Sequence, residues 1–260
     1  MKWKSLKSLQ TCDKILSSLA ISRGLYFFCI IIQNYIFQFL PWLVENNILL
    51  PILNILTMFI FYSSLWIATI LCVFYCVKIV TYNYKLFILL KTRISTMVPW
   101  LIQVSLLISL TSSLPYGWYS YGSNVRVPLN GSIEDMTDYR EVISEIFFKQ
   151  FWILALGSYP PLIIFCVANF LLIHFLLMHT RRMRSNGSHI QSPNLQSHFS
   201  ALKSMSLFLL LQIMFLICTS LSMSGKFIFV KLPILLPIIL LSPLTFHSLY
   251  MVASNTNVQK

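Results

Sequence analysis

Six apolar runs, at 16–41, 48–77, 97–116, 151–178, 202–224 and 228–252, constrain this chain more than any other feature. At a rise of about 1.5 Å per residue each is long enough to cross a hydrocarbon layer of about 30 Å, and several exceed it and can tilt. The runs are continuous and do not alternate, so they read as helices and not as barrel strands. Composition agrees: 57% of the residues are hydrophobic and 10% charged, against about 25% charged in soluble proteins. The expected architecture is all-α, a single polytopic transmembrane helix bundle, with a long outer loop at 117–149 and an inner loop at 179–201.

The net charge of +12 invites a nucleic-acid reading, but the basic residues flank the apolar runs and no segment is long enough to present a separate basic face. Membrane orientation accounts for them better, because cytoplasmic loops are enriched in Lys and Arg. Lys2, Lys4, Lys7, Lys14, Arg23, Lys78, Lys85, Lys91, Arg93, Arg181, Arg182, Arg184, Lys203 and Lys260 fall at one set of ends, 14 of the 19 basic residues. The other set holds Arg126, Arg140, Lys149, Lys226 and Lys231 with six of the seven acidic residues, all but Asp13. Six spans in this alternation place both chain ends in the cytoplasm, at the plasma membrane. The start of the chain shows no cleavable signal peptide. Asn130-Gly131-Ser132 is a glycosylation sequon in the outer loop, and Asn186-Gly187-Ser188 is the same motif on the inner side, where it is expected to stay unmodified.

Chemistry-bearing motifs are scarce. The spans hold no carboxylate pair, and the chain has no Ser-His-Asp set, Gly-rich phosphate loop or metal-ligand spacing, so neither an enzyme nor a cofactor is expected. Cys72 and Cys76 lie four apart on one helical face with no His or carboxylate beside them, and read as small packing residues. His174 and His179 near an inner helix end read as interfacial. Coupled transport requires acidic residues at membrane depth, and the acidic residues here are in the outer loop. Pro160 and Pro161, and Pro233, Pro237 and Pro243, remove backbone donors inside two runs and predict kinks. Arg23, in Leu19-Ala20-Ile21-Ser22-Arg23, either faces the bundle interior or snorkels to the headgroups; Lys78 reads as snorkelling.

Several segments resemble the taste receptor type 2 family, the bitter-sensing G-protein-coupled receptors. Leu16-Ser17-Ser18-Leu19-Ala20-Ile21-Ser22-Arg23 is similar to the family's second-helix signature, and Ser64 to Ile79, with Trp66, Tyr75 and Lys78, to its third-helix signature. His179-Thr180-Arg181-Arg182-Met183 resembles the end of the fifth helix. His198 to Lys203 followed by Phe208-Leu209-Leu210-Leu211 resembles the start of the sixth, and His247-Ser248-Leu249 followed by Asn255 the seventh. The Asp-Arg-Tyr and Asn-Pro-x-x-Tyr motifs of rhodopsin-like receptors are absent. A type 1 vomeronasal relative is the other receptor reading, and the Trp66 to Ile79 stretch argues against it.

The resemblance implies a seven-helix receptor of which six spans are present, the chain starting in what corresponds to the first inner loop. It implies a pocket for small bitter organic molecules in the outer half, lined by Thr57, Phe61, Phe215 and Pro237, and glycosylation at Asn130. Arg23, Trp66, Tyr75, Lys78 and His247 take the family's structural or switch positions. A heterotrimeric G protein would meet the inner loops, at Lys85 to Arg93 and Arg181 to Lys203. Thr57 stands where some members carry Trp, Phe215 replaces a frequent Tyr, and Asn255 to Lys260 replaces a more basic ending. A non-signalling remnant, or a six-helix channel or transporter, are the alternatives.

Overall fold

The computed structural model describes residues 2–44, 48–80, 85–122, 133–185 and 193–223. Among them the chain is helical throughout: α1 (Lys2–Phe39), α2 (Pro41–Val44), α3 (Leu49–Ile79), α4 (Lys85–Gly122), α5 (Ile133–Ser185) and α6 (Pro193–Met223). Four helices are long and apolar enough to cross a membrane, over Thr11–Phe39, Leu49–Ile79, Ile88–Trp118 and Phe148–Met178, and α6 carries a shorter apolar stretch, Leu202–Ile217. The run at 228–252 lies outside the described residues. The helices outrun the apolar stretches expected to define them. The expected outer loop at 117–149 is helical at both ends, where α4 continues to Gly122 and α5 already starts at Ile133. A polar segment has water for its side chains and can stay helical beyond the membrane without an apolar face.

The long helices alternate in direction. Cys12 bonds Tyr75, Tyr26 packs on Phe61 and Gln33 bonds Asn54, so α1 and α3 are antiparallel. Lys91, early in α4, donates to the carbonyl of Val80 just past the end of α3, while Gly117, late in α4, lies against Ile55 and Pro51. Tyr62 donates to Ile153 O and Thr69 to Pro161 O, so α3 and α5 run parallel. Phe165 meets Phe208 and Asn169 donates to Ser206, which makes α6 antiparallel to α5. These directions gather Lys14, Lys78, Lys85, Lys91, Arg93, Arg181 and Lys203 toward one end of the bundle.

α3 is the axis. It packs on α1, α4 and α5, and Phe61 reaches α6. It can do so because its neighbours present small residues. On α4, Ser105, Ser109, Ser113 and Gly117 recur every four residues, and the three serines are buried with their hydroxyls folded onto carbonyls of their own helix. A Cβ on Gly117 would collide with the side chain of Ile55. Such a stripe lets two backbones approach closely, which is how helices gain contact where lipid is as apolar as protein. On α5, Gly157 does the same for Tyr62: an added Cβ would stand 2.5 Å from a ring carbon.

Helix ends follow local chemistry. The chain leaves α3 at Val80 in an extended conformation, φ −67° and ψ 141°. The ammonium of Lys91 lies 3.2 Å from the Val80 carbonyl, a cation at a helix C-terminus where the macrodipole is negative. α5 runs through Pro160 and Pro161 without interruption, and the hydroxyl of Thr69 supplies a donor to the Pro161 carbonyl at 3.1 Å.

Candidate functional site

A cluster of aromatic side chains converges in the half of the bundle opposite the basic end. Phe61 of α3 is at its centre, with ring centroids 5.8 Å from Tyr26 of α1, 5.7 Å from Tyr62 and 5.6 Å from Phe215 of α6. All four are buried. Tilted contacts of this kind avoid the face-to-face sandwich that the ring quadrupoles disfavour. Thr57 lies one turn before Phe61, buried, with its hydroxyl 2.8 Å from Leu53 O of its own helix. Gln33 and Asn54 join α1 to α3 above this level through an amide–amide bond of 3.3 Å.

The structure thus brings together three of the four residues expected to line a ligand pocket, Thr57, Phe61 and Phe215, through a direct Phe61–Phe215 contact. Pro237, Asn130 and His247 lie outside the described residues. Sequence reasoning missed Tyr26 and Tyr62. Tyr26 stands three residues after Arg23, one helical turn on, and that spacing was the available signal.

Below the aromatic cluster, Arg23 takes the interior position of the two open to it. It is 5% exposed, and its guanidinium carbon stands 5.1 Å from the centroid of Phe208, a cation–π contact that partly offsets the cost of burying the charge. Trp66 is half-buried. Tyr75 is half-buried and its hydroxyl is 3.2 Å from Cys12 Sγ, tying α1 to α3 near the basic end. Lys78, also half-buried, lies 5.7 Å over the ring of Phe74 at the end of α3. Cys72 and Cys76 are buried without a disulfide, and His174 is exposed and stacked on Phe170.

The arrangement sets an aromatic, weakly polar cluster in one half, a buried cation in the middle, and basic helix ends in the other half. Comparison with known proteins gives it a family. The profile of the taste receptor protein family (TAS2R) matches residues 1–260. The chain is similar to taste receptor type 2 member 39 of Mus musculus, 32% identical over 216 residues, 82% of this chain and 67% of that protein. It is also similar to member 40 of Gallus gallus, 33% identical over 230 residues, with 85% and 71% covered. To member 9 of Homo sapiens it is 31% identical over 227 residues, with 84% and 70% covered. Apolar helices of membrane-spanning length and a family match over the full sequence lead to one conclusion: the chain belongs to the taste receptor type 2 family of bitter taste G-protein-coupled receptors and is a multi-pass membrane protein.

Proposed function

We propose that this chain binds small, mostly apolar bitter compounds in the outer half of its bundle and signals through a heterotrimeric G protein at the inner end. The Phe61–Phe215 contact carries the reading. It joins α3 to α6 inside an aromatic cluster, so a flat apolar ligand inserted beside it would alter how the two helices pack, and a ligand shifts a receptor only as far as it binds one packing better than the other. Thr57, one turn before Phe61, supplies a polar group beside that contact, and Pro237 belongs to the same proposed lining. The basic end faces the cytoplasm, by the bias of Lys and Arg toward inner loops, and with it both ends of the chain. The G protein meets the helix ends around Lys85 to Arg93 and Arg181 to Lys203. Arg23, Trp66, Tyr75, Lys78 and His247 hold the bundle between the two faces, and Asn130 carries a glycan outside.

The test is calcium release in cells that express the full chain at their surface with a calcium-coupled G protein, over a panel of bitter compounds. The expected result is a G-protein-dependent response to at least one compound, with Phe61→Ala or Phe215→Ala raising its half-maximal concentration about tenfold, or about 1.4 kcal/mol, at equal surface level. A surface-delivered chain silent to the whole panel, or an ion current that persists without the G protein, overturns the reading. Glycosidase treatment checks orientation: the mobility shift should vanish with Asn130→Gln and survive Asn186→Gln.

A further inference from the structure

Gln212 sits in the apolar stretch Leu202–Ile217 of α6 at 1% exposure, and among the described residues neither its amide nitrogen nor its amide oxygen has a hydrogen-bond partner. Native interiors rarely leave such atoms unsatisfied, and each calls for an explanation. A serine in a helix ordinarily turns its hydroxyl onto a carbonyl one turn back, as Ser109 does. Glutamine is not one of the residues that fold back in this way, and its amide calls for partners beyond its own helix.

Observed contacts fix the depth of this amide. Gln212 follows Phe208 by four residues and precedes Phe215 by three, so the three share a face of α6. Phe208 meets Arg23 of α1 and Phe165 of α5, and Phe215 meets Phe61 of α3. The contacts between α1 and α3 keep one register: Cys12 to Tyr26 and Tyr75 to Phe61 are both steps of 14 residues, and Tyr26 to Gln33 and Phe61 to Asn54 are both steps of 7. In that register Arg23 stands one turn nearer the basic end than the Tyr26–Phe61 contact. Gln212 is therefore one turn beneath the Phe61–Phe215 contact, about 4.5 Å along the helix from Phe215.

An amide offers N–H donors and a carbonyl acceptor side by side, and a primary amide or a lactam returns both kinds of bond at once. Gln33 and Asn54 already pair amide to amide between α1 and α3. A charged group matches one side of the amide only and has to be desolvated at membrane depth. We propose that Gln212 is a specificity-determining residue of the pocket, hydrogen-bonding a neutral amide at the deep end of a flat apolar ligand. The proposal rests on the reading of the Phe61–Phe215 cluster as the ligand site. A ligand that parts Phe61 from Phe215 brings its deep end to the Gln212 amide, and bonds made there are gained only in the complex.

The test melts the full chain in detergent with a series of flat aromatic primary amides, benzamide to anthracenecarboxamide, and with the N,N-dimethyl form of each. The primary amides are expected to bind the wild type about tenfold more tightly than their dimethyl forms, the effect of one hydrogen bond to a buried group, read from the concentration at half the melting shift. Gln212→Leu removes an unpartnered amide from an apolar stripe, so without ligand it should melt no lower than the wild type. It should also shrink the difference between the two forms to under about twofold. Equal binding of the two forms by the wild type overturns the proposal, as does failure of every amide to bind. So does a difference that survives Gln212→Leu, which puts amide recognition elsewhere. A Gln212→Leu chain that melts well below the wild type without ligand also overturns it, because the amide is then paired inside the bundle. The same compounds in the calcium assay separate the two readings: Gln212-dependent melting shifts without calcium release break the receptor reading alone, and amide responses that ignore Gln212 break this proposal alone.

Discussion

Helices α3 and α4 are both long, apolar and neighbours, yet 83% of the most apolar window of α3 is buried in the bundle against 22% of that of α4. Apolarity does not set burial, since Thr11–Phe39 is as apolar as α3 and 33% buried; in a membrane the outward face of a helix is as hydrocarbon-like as the inward one. What separates them is where the small and polar residues sit. α3 carries Thr57, Ser63, Ser64, Thr69, Cys72 and Cys76 among its buried residues, spread around the helix, and is enclosed on several sides. α4 confines Ser105, Ser109, Ser113 and Gly117 to one stripe and turns Trp100, Leu107, Leu114 and Trp118 outward. On this part of α4 the small residues mark the protein-facing side and the large apolar ones the lipid-facing side.

The largest test of that contrast is Gly117→Leu, which forces a side chain into Ile55 and should cost about 3 kcal/mol by unfolding in detergent, at the upper end for overpacking. Wild-type stability would mean α4 does not rest on α3 through this stripe. Next, Ser109→Leu should cost about 2 kcal/mol by the same measurement. Thr69→Val and Tyr62→Phe each delete one hydroxyl from α3 that reaches an α5 carbonyl, and should each cost about 0.6 kcal/mol, the average for interhelical hydrogen bonds in membranes. The smallest change is expected from Leu107→Ala and Leu114→Ala on the outward face of α4, under about 0.5 kcal/mol. A loss there as large as that of Ser109→Leu would show that a protein surface, not lipid, covers that face.

Much of this was legible in the residues. Continuous apolar runs announced a helical membrane protein, and the Leu-Ala-x-Ser-Arg and Trp66 to Ile79 segments announced the family. The extension of α5 back to Ile133 was not legible, since a helix in water beyond the membrane carries neither a long apolar run nor a breaker to mark its end. The interior placement of Arg23 was open because an arginine at that depth either snorkels or finds company inside, and the company includes Phe208 of α6, far away in sequence. Gln212, alone among Phe208-Leu209-Leu210-Leu211 and Ile213-Met214-Phe215, was a visible signal that went unread: one amide in an apolar run is a marker of the interior.

The equal steps by which α1 and α3 meet have a genetic consequence. Their contacts recur at seven residues and its double, so the pair is indexed like two racks of the same pitch. Loss of one codon between Tyr26 and Gln33 would turn everything beyond it by about 100°, carrying the Gln33 amide away from Asn54 while Tyr26 and Cys12 stayed in place. Gain or loss of seven would keep the face to within about 20° but slide the Gln33 amide about 10 Å along the axis from Asn54. A change of length between Tyr26 and Gln33 therefore opens the Gln33–Asn54 end of the α1–α3 seam while the Tyr26–Phe61 and Cys12–Tyr75 contacts stand.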